Sequence, residues 1–158
     1  MRVFVVRGGA LAAAAVIAVG CGSGSSGSST NASPSTFRSD FGLVVNQFGH
    51  TSHFIGLAIE HASSMTDAQL ASTFSGLAVR WHGALTKLQP LTPPPSVSAP
   101  FEKLTGAATR TESDLNAVVA AAKTHDESAA KQASGKLVKD ILQAKAAAQT
   151  ITTKLGIR

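Results

Sequence analysis

Cysteine, tyrosine and acidic side chains are the scarce residues here. A single cysteine, Cys21, stands in 158 residues. No disulfide can form within a monomer, and a Cys-x-x-Cys-His haem attachment is excluded. Tyrosine is absent, tryptophan occurs once, and aromatics make up 5% of the chain. That composition disfavours a β-sandwich, whereas abundant alanine favours helices. No apolar run reaches the roughly 20 residues of a membrane-spanning helix. None of the many serines sits in G-x-S-x-G. The nine acidic residues fall mostly at expected helix starts or on outer faces. Paired acid/base work needs carboxylates held together in a cleft, and the pattern offers none. No catalytic constellation is present, so the chain is not read as an enzyme and no cofactor is expected.

What is present begins at the N-terminus. Arg2 and Arg7 make a short basic segment, and Gly8 to Val19 is built from Ala, Val, Leu, Ile and Gly. This is the pattern of a signal-peptide apolar region. The small residues Ala18-Val19-Gly20 then lead to Cys21. These residues resemble the lipobox of bacterial lipoproteins, with one departure: Ala18 stands where that family prefers Leu. The resemblance implies that residues 1–20 are a cleaved signal peptide and that Cys21 is the lipidation site. It implies a lipoprotein on the extracytoplasmic face of the cell membrane, held to the bilayer through acylated Cys21. Two or three acyl chains exceed what stable anchoring needs. Ordinary secretion with a free thiol is the alternative, because Ala18-x-Gly20 also fits standard signal cleavage.

Residues 21–35 carry the run GSGSSGSSTNASPS after Cys21. Gly/Ser chains of this length are flexible coils with an end-to-end reach of about 20 Å, so this stretch reads as a tether. Residues 36–158 remain as one domain of about 120 residues, a size that buries about two thirds of its unfolded surface. Arg2 and Arg7 leave with the signal, so the basic residues then exceed the acidic ones by only three. The excess is spread through the last third, with acids between and no aromatic platform beside it. A solvated helix face is expected there, and no nucleic acid partner.

Four helices follow from apolar period. The first, about 36–64, carries Phe37, Phe41, Val44, Phe48, Thr51, Ile55, Ala58, Ala62 and Met65 in alternating steps of four and three. The second, about 67–89, carries Leu70, Phe74, Leu77, Trp81, Ala84 and Leu88, opened by a Thr66/Gln69 capping box. Pro90 stops it, and Pro93-Pro94-Pro95 form a stiff strap. The third, about 99–123, starts at Ser98 and carries Phe101, Leu104, Ala108, Thr111, Leu115, Val118 and Ala122. The fourth, about 126–155, is capped by Thr124 with Glu127. It carries Ala130, Ser134, Leu137, Ile141, Ala144, Ala148, Ile151 and Leu155. Two tight turns and one strap predict an all-α, up-down-up-down four-helix bundle. The small seam of the fourth helix predicts close approach to bulky neighbours. Lipobox, tether and Ala-rich bundle together resemble the small helical lipoproteins of high-GC Gram-positive bacteria. That resemblance transfers no catalytic residue.

Two patterns stand as candidate sites. His50 and His53 lie one turn apart on the first helix, a spacing able to chelate a metal weakly, although both fall off the seam. Gly42, Gly49 and Gly56 recur every seven residues, and Gly76 and Gly83 repeat the spacing on the second helix. Glycine inside a helix costs about 1 kcal/mol relative to alanine. Rows of small residues admit close approach by another backbone. With Phe54 and Leu57 beside them, these glycines form a candidate interaction face on the outer side of helices one and two, the alternative being chance in a Gly/Ala-rich chain with ordinary flank burial. Its occupant would be a second copy, an envelope protein or an apolar ligand. The leading expectation is a non-enzymatic envelope protein with an interaction or structural role. A carrier of a metal or small apolar ligand is the alternative.

Overall fold

The computed structural model describes residues 33–157, the side chain of Pro34 excepted. Cys21, the signal peptide and most of the tether lie outside the described residues. The chain is all-α, with helices α1 (Pro34–Glu60), α2 (Asp67–Leu88), α3 (Ser98–Lys123) and α4 (Glu127–Leu155). Short 3-10 turns at Ala62–Ser64 and Pro95–Val97 complete the described elements, and no strand occurs among them. Each helix packs on the next, and α4 returns to α1 to close a four-helix bundle.

The inward stripes follow period over most of their length, but Ala62 and Met65 past the end of α1, Leu70 on α2, and Ala130, Ser134, Ile141 and Leu155 on α4 are only half-buried, and Ala133 and Ala147 are buried on α4 instead. On α1, Phe37, Phe41, Val44, Phe48, Thr51, Ile55 and Ala58 are all buried. Thr51 and Thr111 are buried without orphaned hydroxyls, because each donates back to its own helix, at Gln47 O (2.9 Å) and Ala107 O (3.0 Å). Phe37, Phe41 and Phe101 cluster at one end, with the Phe37 ring stacked on Phe41 and edge-on to Phe101. Phe48 and Trp81 meet mid-bundle at 4.6 Å between centroids. Val97, from the strap, is fully buried and joins the core. Among the described residues, the core runs from Phe37 to Ile151, with Leu155 and Ile157 packed against it. Residues 31–158 form one compact unit. This unit therefore has a hydrophobic core of its own.

Helix ends show where local chemistry overrides period. Helix α1 stops at Glu60, short of the expected Ser64, and a 3-10 turn follows in which Ser64 donates its hydroxyl to His61 O (2.8 Å). Thr66 is then extended and caps α2. Its hydroxyl accepts from Gln69 N (3.2 Å), and its own N–H donates to Gln69 Oε1 (2.9 Å). The expected Thr124 cap of α4 is replaced by Asp126, whose side chain accepts from Ala129 N at 2.9 Å. The reason is the end of α3. His125 adopts a left-handed φ of 55°. Asp126 N–H then reaches Ala121 O and His125 N–H reaches Ala122 O, so Thr124 is still closing the previous helix. Ser98, expected to cap α3, is instead its first residue, entered from the Pro95–Val97 turn without a side-chain cap.

Helix α4 departs from expectation in one respect that matters. Its contact with α3 is the most extensive in the bundle, and both helices bury small residues, Ala107, Ala108, Ala121 and Ala122 on α3 and Ala133, Ala144, Ala147 and Ala148 on α4. Two small surfaces allow backbones to come together. Against α1 the same helix touches only sparsely. Alanine is too short to span the distance to α1 once α4 has settled on α3.

Candidate functional site

The sparse α1–α4 contact opens a cleft of about 750 Å³ along the bundle. That volume lies within the roughly 300–1,000 Å³ of small-molecule sites. Its floor is apolar: Phe48 from α1, Trp81 from α2, Leu104 from α3, and Ala144 and Ala148 from α4. All five are buried core residues. Trp81 is fixed there because its indole N–H donates to Ala108 O at 2.8 Å. The rim is polar, with Asn46, His50, Ser52 and His53 on α1 and Lys145, Gln149 and Thr152 on α4. Leu142, 60% exposed, extends the apolar surface to one end of the cleft.

His50 and His53 therefore sit on a cleft rim and are exposed to solvent. No group of three or more metal-ligating side chains gathers among the described residues. The structure separates the residues of the expected interaction face. Gly42 lies toward α4, where a Cβ would meet the Ile157 side chain at 3.8 Å. Gly49 lines the α1–α4 cleft. A Cβ on Gly49 or Gly56 would meet nothing within 4 Å. Phe54 and Leu57 turn the other way, into a shallower groove of about 440 Å³ shared with α2 residues Thr73, Gly76 and Arg80. There the Arg80 guanidinium covers the Phe54 ring at 5.6 Å. The glycine row and the exposed apolar residues thus flank α1 on two sides.

Two of the other three histidines are tied to carboxylates across helices, His82 to Glu112 and His125 to Asp67. One arrangement escaped sequence reasoning. Asp114 of α3 and Asp140 of α4 are brought together, and Arg110 donates to Asp140 (3.1 Å) and to Gln143 (2.8 Å). Asp114 Oδ2 is buried with no hydrogen-bond partner. Burial, and after it the Asp140 charge, push the Asp114 carboxyl above the ordinary carboxylate value, against the pull of Lys136 and Arg110. No spacing rule links positions on separate helices, so no signal in the sequence marks this pair. Neither carboxylate lines the cleft.

No helix among the described residues is long and apolar enough to cross a membrane. No protein-family model, curated protein or solved structure matches the chain, so the bundle and its clefts carry the functional reading.

Proposed function

We propose that this protein is a lipid-anchored envelope protein whose bundle works by binding, with the α1–α4 cleft as the binding site. The cleft carries this reading: an apolar floor reaching the core, with a polar rim on both sides. Such clefts bury most of a small ligand while a few polar groups orient it. The basic segment, apolar run and Cys21 support the anchoring half of the proposal. The bundle then stands at the membrane surface on a Gly/Ser tether, within reach of lipid-soluble material.

Two measurements test the halves separately. Mass analysis of the membrane-purified protein should find a diacylglyceryl thioether on Cys21, and Cys21→Ser should move the protein out of the membrane fraction. Native mass spectrometry of the same material should find a non-covalent small-molecule adduct that is lost on Ala144→Phe, which fills the floor. An unmodified thiol would sink the anchoring half, and a bundle that never carries an adduct would sink the other.

A second reading rests on the α1–α2 groove, where Phe54 and Leu57 are 45% and 38% exposed beside Arg80. That surface suits a protein partner or a second copy. Sedimentation of the wild-type protein against Phe54→Ser would reveal self-association through it.

A further inference from the structure

Resting on the α1–α4 cleft as the binding site, we infer that its ligand is a single-chain amphiphile with an anionic head, seated with the head between His53 and Lys145. Shape gives the first part. The cleft runs from Ile141 to Thr152 along α4, about 16 Å at 1.5 Å per residue. An elongated space over the apolar floor of Phe48, Trp81 and Leu104 suits an acyl chain better than a compact ring system.

Charge gives the second part. Every ionisable side chain lining the cleft is basic: Lys145, His50 and His53, with no Asp or Glu. Helices α1 and α4 run antiparallel, and Gly42 lies opposite Ile157. Continuing that register places His53 level with about residue 146, next to Lys145. The ammonium and an imidazole N–H thus flank the cleft at one level. Both are donors suited to a carboxylate or phosphate oxygen. At the opposite end Asn46 and Thr152 are uncharged, so the field inside the cleft orients the ligand. Lys145 makes no ion pair among the described residues, whereas Arg110 is already engaged by Asp140.

The test uses residues 31–158 and the Trp81 emission, since Trp81 is the only tryptophan and forms part of the floor. Three probes of equal chain length are titrated below their micelle concentrations: myristoyl lysophosphatidylglycerol (anionic), monomyristin (uncharged) and myristoyl lysophosphatidylcholine (zwitterionic). Saturable binding of the anionic probe about fivefold or more tighter than the other two is expected, as for a charge-assisted contact at a partly exposed rim. Lys145→Gln and His53→Gln should each erase that preference while leaving monomyristin binding as it was. Equal affinity for all three probes would overturn the anionic head and leave the cleft as a binding site. Persistence of the preference in both variants would overturn its placement. Silence of Trp81 with every probe would overturn the inference together with the cleft reading beneath it.

Discussion

Replacing Ala148 with leucine should stabilise the bundle slightly and shut the α1–α4 cleft to ligand. Ala148 is 8% exposed yet lines the cleft floor beside Phe48 and Trp81. Leucine adds about three methylene equivalents, worth roughly 2.4 kcal/mol if wholly removed from water. The cleft is open along one side, so about half of that, ~1.2 kcal/mol, is realised. Fixing the leucine rotamer takes back about 0.5–1 kcal/mol. The expected net gain is therefore a few tenths of a kcal/mol. A closed, fully packed α1–α4 interface would behave differently, because overpacking a tight core costs about 1–3 kcal/mol. Urea unfolding of residues 31–158 followed by circular dichroism separates these outcomes, since they differ in sign and by more than about 1 kcal/mol. Affinity for the anionic probe should fall at least tenfold in the same variant. Destabilisation beyond about 1 kcal/mol would refute the cleft, and undiminished ligand binding in a stable variant would refute its role.

Three further outcomes are expected. Gly49→Ala and Gly56→Ala, whose new Cβ atoms meet nothing within 4 Å, should each raise helix stability by about 1 kcal/mol. Neither should change the sedimenting mass, and loss of self-association would show that the glycine row packs against a second copy. Thr66→Ala removes the hydroxyl that accepts from Gln69 N and should cost about 1 kcal/mol in urea unfolding. Asp114→Asn should stabilise the protein at neutral pH. The folded state holds the Asp114 proton more tightly than the unfolded chain. Its stabilising contribution is thus complete below the unfolded value of 3.8 and is lost as pH rises through the folded value. The gain from asparagine should vanish near about pH 3, where both forms are neutral. A gain independent of pH would mean that ionisation of Asp114 is not its source.

The bundle itself was legible because period alone decides which side of a helix is wetted. Every α1 seam residue from Phe37 to Ala58 is buried, as the alternating steps of four and three require. Caps were legible where a single candidate stood, as at Thr66, and misread where two neighbours competed. Thr124 has the right spacing to Glu127, but the left-handed turn at His125 moves the start of α4 to Asp126. The cleft was not legible. Period gives the direction in which Ala144 and Ala148 point but not the distance to the helix they face. An alanine seam permits close approach on either side, and only the matching alanines of α3 determine that α4 leans toward α3 and away from α1. The Asp114–Asp140 pair was hidden for the same reason, as a contact between helices carries no mark on either one.

Whether the α1–α4 cleft holds the ligand is read most directly by isotope-filtered NMR. Labelled residues 31–158 are mixed with unlabelled myristoyl lysophosphatidylglycerol, and protein–ligand Overhauser contacts are recorded. Contacts from the Trp81 indole and Phe48 ring to the acyl methylenes are expected, with headgroup protons near His53. Contacts confined to Phe54 and Leu57 on the α1–α2 side, with the Trp81 resonances unmoved, would contradict it.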